Sequence, residues 1–332
     1  MQGRLEHKIK TETSIQDKLP NMPEYMQRYY HFVGTKSHTT KLRYMSNIDR
    51  YLLHEFGTYP KEKDIKNIDS YAIQKYMSEI QYYDKNGETH ELKESTKCNI
   101  YSALSSFFTF LTRMGYIDRN PFADKMIERP KITEGEIVYL TPQEVRKFEA
   151  TIIEGVGSKL SKARQAKWKY RDVLLFRIPV VNGLRLSALD EINIEDIDLD
   201  NDRIRVTEKG NITKWVSFDM KTASYLAMWL VQREKLLGDK KCNALFISNR
   251  RTRMDQRSIE NIIDKYAVCI TGKHITPHKL RSTCATNTYQ AKKDIYLTSK
   301  VLGHKTTAPT RRYAAVFNED ITNVINEVAN MY

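Results

Sequence analysis

The sequence holds no apolar run long enough to cross a bilayer, so no membrane-spanning helix is expected. Its opening, MQGRLEHKIKTETS, lacks the apolar centre of a secretory leader. The expected setting is the cytoplasm, with no membrane partner. Cysteine is scarce: Cys98, Cys242, Cys269 and Cys284 lie far apart, and none forms a CxxC pair. That spacing argues against a zinc site, and a reducing compartment argues against disulfides. Each cysteine reads as a small buried hydrophobe. There are no internal repeats and no low-complexity tracts. No acidic cluster of the kind a metal-dependent nuclease needs is apparent. Neither a metal nor a cofactor is expected.

What the chain does have is positive charge. Lys and Arg number 54 against 41 Asp and Glu, a formal net charge of +13. Good solubility alone would account for some excess, but a polyanionic partner accounts for it better, and nucleic acid is the usual one. Hydrophobic residues at 40% and charged residues at 29% suit a soluble, core-forming chain. At 332 residues, two domains of ordinary size are expected rather than one.

Periodicity divides the chain. Residues 1–21 are polar and aperiodic and read as an N-terminal arm. Residues 22–117 read as a small all-helical domain. A short helix covers Tyr25–Phe32. Leu42, Met45, Ile48, Leu52 and Phe56 share one helix face, and Ile73, Met77 and Ile80 share another behind the cap candidates Asp69 and Ser70. Ile100, Leu104, Phe107, Phe108 and Leu111 mark a third strong helix, ended near Gly115.

The stretch 118–136, DRNPFADKMIERPKITEGE, is charged, Pro-containing and aperiodic, and reads as a linker. Residues 137–332 read as a second domain, mainly helical with a small antiparallel sheet. Thr141-Pro142-Gln143-Glu144 predicts a helix start with a capping box. Apolar residues 173–181 predict a buried helix ended by Asn182-Gly183. IDLDNDRIRVTEKGNITKWVSFD predicts short strands around a turn at Lys209-Gly210-Asn211. Between residues 159 and 171 runs a basic stretch that includes Lys162 and Arg164. It fits a solvated helix and a phosphate-contacting insertion equally.

Several residues carry chemical promise but are weak alone. Arg185 follows a turn among apolar residues, where a guanidinium needs an anion. The plainer reading is an ion pair with Asp190 or Glu191. Lys209 at a hairpin tip is ordinarily just solvated. Thr276 and Pro277 predict a helix start with His278 in the first turn and Arg281 on the same face. A helix N-terminus already favours a phosphate, and the histidine adds a proton carrier. Gly303 ends a helix directly before His304. Tyr313 lies nine residues on, one tyrosine among 20.

Together these residues are what metal-free phosphodiester transfer requires. Arginines stabilise the charge that grows on phosphoryl oxygens. A phenol, with an ordinary pKa near ~10, needs a base or a positive field. A leaving 5′ oxygen needs a proton.

At this point the chain resembles the tyrosine recombinases, the phage-integrase family that includes Xer-type recombinases and integrases of mobile elements. VNGLRLSALDEINIEDID is similar to the family's first arginine box, and VTEKGNITKWVSF to its lysine hairpin. HKLRSTCATNTYQAKKDIYLTSKVLGHKTTAPTRRY is similar to the second box through the nucleophile, and SSFFTFLTRMGYIDRNPF to the end of the core-binding domain. The resemblance spans about residues 22–332.

It implies a C-shaped two-domain clamp on double-stranded DNA, with residues 22–117 as a core-binding (SAM-like) domain. It implies Tyr313 as nucleophile in a 3′-phosphotyrosyl link and Arg185 and Arg281 as phosphate clamps. Lys209 would be the acid for the 5′ oxygen, His278 a general base or acid, and His304 a phosphate donor, with no cofactor. It further implies a tetramer on DNA, joined by a C-terminal helix carrying Ile321, Val324, Ile325 and Val328. An accessory protein is a further candidate partner.

The openings KSHTTKLR and KESTKCN offer Lys41, Arg43, Lys93 and Lys97 for DNA contact. Two departures stand out. Ala188 occupies the place where the family often has a carboxylate, and Ser282 follows the second arginine. The alternatives are relaxation of DNA in the manner of a type IB topoisomerase and a catalytically inactive DNA-binding regulator. The long core-binding match argues against the first and the complete residue set against the second.

Overall fold

A computed structural model describes residues 19–83, 87–123, 126–132, 135–208, 212–270, 272–314, 325–326 and 329–330. The chain divides into two compact units between Gly135 and Glu136.

In the N-terminal unit, α1 (Glu24–Phe32), α2 (His38–Phe56), α3 (Glu62–Ile65), α4 (Ser70–Glu79) and α5 (Glu94–Arg113) surround an aromatic core. Local chemistry sets the helix ends. Ser37 and Asp69 accept backbone N–H groups three residues ahead, and Gly57 closes α2 at φ 69°, a conformation that suits glycine. Tyr29 is held between Phe107 and Phe110 at ring distances of 5.2 and 5.4 Å, and its hydroxyl donates to Ser106. Such edge-on aromatic contacts add to the burial of their area.

The expectation of an all-helical unit is corrected here. A two-stranded hairpin, β1 (Gln81–Tyr83) and β2 (Thr89–Glu91), intervenes between α4 and α5. Its strands are three residues each, too short to carry a readable alternation. The chain after α5 packs back onto the same unit. Ser70 Oγ donates to Pro121 O, Cys98 Sγ to Pro130 O, and Ile127 is buried in the unit's core.

The second unit is built around α8 (Lys169–Asn182), which is buried from Arg171 through Pro179 almost without a break. α6 (Pro142–Glu154), α10 (Met220–Leu237), α11 (Gln256–Ala267) and α12 (Pro277–Lys292) pack on it. α6 opens with the predicted capping box between Thr141 and Glu144, and its Phe148 stacks on Phe176 at 4.1 Å.

The sheet is antiparallel in the order β3 (Ile197–Asp198), β4 (Arg203–Glu208), β5 (Ile212–Ser217). Glu208 therefore faces Ile212 across the mouth of the hairpin. Helix α7 (Lys159–Ala166), the short α9 (Leu186–Leu189), α13 (Ile295–Leu302) and α14 (Arg311–Ala314) complete the described α-helices. The mainly helical architecture with a small antiparallel sheet is as expected.

Two cysteines depart from their expected burial. Cys98 and Cys284 are buried, but Cys242 is half-buried and Cys269 exposed. Cys269 lies just past the end of α11, outside the apolar face that Ile259, Ile263 and Tyr266 present to the core. No helix among the described residues is long and apolar enough to cross a membrane.

Candidate active site

Three chain segments deliver the site. α8 ends at Gly183, which adopts φ 63° so that the chain can turn sharply. A β-carbon there would stand 2.8 Å from Leu302 Cδ2, so the close approach also requires glycine. Two residues later Arg185 sits as the N-cap residue of α9.

The second segment is α12. Pro277 occupies its first turn, where a missing N–H is harmless. Thr276 stands at the N-cap of this predicted helix start, and its side chain accepts no capping hydrogen bond. His278 and Arg281 lie on the same side of the helix.

The third segment runs from α13 into α14. Asp294 caps α13 by accepting from Tyr296 N and Leu297 N, and Gly303 ends it at φ 64°. His304 N bonds back to Ser299 O at 3.0 Å, and α14 then presents Tyr313.

Arg281 is 3% exposed. Its guanidinium donates from Nη1 to Gly183 O and from Nη2 to Leu302 O, the latter at 2.7 Å. One side chain thus ties the turn before Arg185 to the end of the helix before His304. Arg185 is only part-buried and donates from Nη1 to Glu208 Oε2 at 2.7 Å. That corrects the expectation of Asp190 or Glu191 as its partner: the anion lies on β4, 23 residues away.

Glu208 Oε1 also lies 2.9 Å from Lys214 Nζ. This approach is too poorly aligned for a hydrogen bond, so it acts as a Coulomb contact. Tyr313 is 4% exposed, packed with Ile137, Ala285 and Leu302, and it is electrostatically coupled to Arg281. Lys209 lies outside the described residues.

Both histidines are biased toward the neutral form. Burial pushes the His278 pKa down, and Arg281, Arg312, Lys279 and Arg185 add to the push. Burial also lowers His304, with Arg281 and Arg185 behind it, to about 4. His304 Nδ1 shares a 2.8 Å hydrogen bond with Thr310 Oγ1, which orients the ring and leaves Nε2 as its other polar atom. Arg281 is itself pushed down by burial and by Arg185, yet an arginine stays charged. A neutral imidazole can take a proton, and guanidiniums can take developing charge. A recess of ≈ 310 Å³ opens against Arg185, His278 and Arg281, flanked by Gln256 and Glu260.

The His304 shift has a measurable consequence. The unfolded chain protonates near ~6.5, while the folded site refuses the proton down to about 4. Stability is therefore intact above the unfolded value and is lost as pH falls from there toward the folded value. A His304→Asn variant should lose less melting temperature than the parent across that window. Parallel slopes for the two proteins in pH-dependent thermal melts would contradict this.

Sequence reasoning missed Glu208, Lys214, Thr310 and the role of Arg312. Arg312 Nε is buried without a hydrogen-bond partner among the described residues, and its Cζ lies 5.9 Å from the Tyr313 ring centroid. Its position directly before the tyrosine was the available signal.

The DNA-contact candidates are scattered. Lys41 Nζ sits 4.1 Å from the Tyr30 ring centroid, Lys97 pairs with Glu94 at 3.1 Å, and Arg43 and Lys93 are exposed. Within the basic stretch, Lys162 pairs with Glu154 at 3.0 Å and Arg164 is exposed. Arg171 is instead buried in a pair with Asp172 and stacks on Trp168. No group of three or more metal-ligand side chains occurs among the described residues.

A buried arginine beside a part-exposed one, two neutral-biased histidines and a tyrosine on a mainly helical unit define an enzyme class that breaks and rejoins phosphodiesters through the protein itself. The model of the phage integrase family matches residues 139–320, and the chain belongs to that family. It is a site-specific tyrosine recombinase acting on DNA.

Tyrosine recombinase XerS of Streptococcus agalactiae serotype III (strain NEM316) is 26% identical over 340 residues, covering 96% of this chain and 93% of that one. Tyrosine recombinase XerC of Natranaerobius thermophilus is 29% identical over 251 residues, 74% of this chain and 78% of that one. Two solved structures share the fold. The XerH recombinase bound to difH substrate in a pre-cleavage complex has a TM-score of 0.65 at 21% identity, over 92% of this chain and 82% of that one. The Tn1549 transposon integrase in complex with transposon right-end DNA has a TM-score of 0.69 at 18% identity, over 92% of this chain and 98% of that one. These matches favour recombination over the topoisomerase and inactive-regulator alternatives.

Proposed function

We propose that this recombinase cuts DNA by attack of the Tyr313 phenol on a scissile phosphate, leaving a 3′-phosphotyrosyl link. The convergence of Arg185, Arg281, His278 and His304 with Tyr313 carries the reading. Arg185 and Arg281 stabilise the non-bridging oxygens, which gain charge as the phosphorus becomes five-coordinate. His278, kept neutral by burial and surrounding cations, takes the phenolic proton. His304 donates from Nε2 to the phosphate, its ring steered by Thr310. Lys209 protonates the 5′ oxygen as it leaves. Attack by a 5′ hydroxyl of the partner strand reverses each step, so the bond energy is conserved and no cofactor is consumed.

The polarity is testable on a nicked suicide duplex, built around a site enriched by binding from a random-sequence pool. After denaturation, the protein should retain label from the 5′ end of the cut strand and none from its 3′ end. Retention of the 3′-end label alone would overturn the mechanism.

Two protomer pairs on DNA, joined through residues 318–332, complete the proposal. Of that tail, Ile325 is described and is 60% exposed, while Ile321, Val324 and Val328 lie outside the described residues. Residues 1–18 of the arm 1–21 lie outside them too, while Leu19–Asn21 form a turn of 3-10 helix. The work takes place with the DNA in the cytoplasm, as integration and excision of a mobile element or as Xer-type resolution.

Lys41, Arg43, Lys93, Lys97, Lys162 and Arg164 are proposed as phosphate contacts. Each true contact removed should weaken binding about equally on all sequences and reduce the slope of log K against log salt by roughly 0.9. An unchanged slope in a fluorescence titration would remove that residue from the set.

A further inference from the structure

Ala188 is 1% exposed and has no charge to offer Arg185. Arg185 nevertheless holds a carboxylate, that of Glu208, whose side chain is 9% exposed. Glu208 is the last residue of β4 and immediately precedes Lys209. Its second oxygen faces Lys214 at 2.9 Å. The same carboxylate stands beside Gly303, directly before His304: a β-carbon built on Gly303 would meet Lys214 Nζ at 2.5 Å and Glu208 Oε1 at 3.0 Å.

From this geometry we infer that Glu208 is a positioning residue that takes over the carboxylate role absent at position 188, aligning Arg185 and registering strands β4 and β5 against the His304 loop. The inference rests on reading Arg185 as a phosphate clamp.

A guanidinium gripped through Nη1 keeps its remaining N–H groups for an incoming phosphate. A buried carboxylate between two cations is stable in place, so its grip needs no reorganisation when DNA arrives.

Glu208 touches neither substrate nor reacting atoms in this role, so the test must read alignment rather than fold. Single-turnover cleavage of the nicked suicide duplex is measured for the parent, Glu208→Gln, Arg185→Ala and the double variant. Each is also assayed on a duplex with a methylphosphonate at the scissile position, where one non-bridging oxygen carries no charge. Binding and melting temperature are followed in parallel.

Glu208→Gln should bind within about threefold of the parent and cleave on the order of 10–100-fold more slowly. That deficit should shrink on methylphosphonate, and the double variant should be no slower than Arg185→Ala, because residues acting as one unit are non-additive. Cleavage by Glu208→Gln within twofold of the parent, or deficits that multiply in the double variant, would overturn the inference. If the glutamine variant does not fold, Glu208→Asp carries the test. Drawing the carboxylate back by one methylene should slow cleavage at least about fivefold, and a rate within twofold of the parent overturns the inference. Normal cleavage by Arg185→Ala would instead remove the phosphate-clamp reading itself.

Discussion

Tyr313→Phe should form no covalent adduct with DNA and produce no recombinant, while binding its site with the parent's affinity. The variant removes one oxygen from a ring that is 4% exposed and packed by Ile137, Ala285 and Leu302. The packing surface is kept, so the fold and the DNA-gripping surfaces should stand. On the proposed mechanism what is lost is the nucleophile, so the effect should be complete rather than graded. Denaturing electrophoresis beside a mobility-shift titration reads both halves. Residual adduct at any level above background would mean that a different side chain attacks.

The second large effect separates the two arginines. Arg281→Lys and Arg185→Lys should each lower the cleavage rate by roughly 10²–10³-fold, the scale for one lost transition-state donor. An ammonium keeps the charge but lacks the planar fork that meets two oxygens at once. Their stabilities should differ. Arg281 donates to both Gly183 O and Leu302 O in the interior. One ammonium cannot easily satisfy both carbonyls, and a buried acceptor left alone costs about 1–3 kcal/mol. Arg185 is part-exposed and pairs with Glu208, and a lysine there still faces that carboxylate. Arg281→Lys should therefore melt several degrees lower, and Arg185→Lys close to the parent. Equal melting temperatures would contradict the tying role given to Arg281.

The elements legible in the sequence were those specified by local chemistry. The capping box at Thr141 and Glu144, the left-handed glycines 183 and 303, and the proline opening of α12 need only neighbours within a turn. The candidate residues were legible by order along the chain. Partner choice was not. Arg185 has two carboxylates within six residues, Asp190 and Glu191, yet it takes Glu208, because the turn at Gly183 and the β4 hairpin bring distant groups together. The basic stretch likewise hid a buried pair, since it is tertiary contacts, Arg171 Nη1 to Ile247 O and Tyr266 Oη to Asp172, that show Arg171 facing inward. The β1–β2 hairpin escaped because three-residue strands carry too little pattern.

One tyrosine among 20 is proposed to carry the DNA. The most direct measurement is to trap the adduct on the suicide duplex, trim the DNA with nuclease, digest the protein and locate the nucleotide remnant by mass spectrometry. The remnant is expected on the peptide containing Arg312-Tyr313-Ala314, at the phenolic oxygen. A remnant on any other tyrosine, or on a serine or histidine, would contradict it.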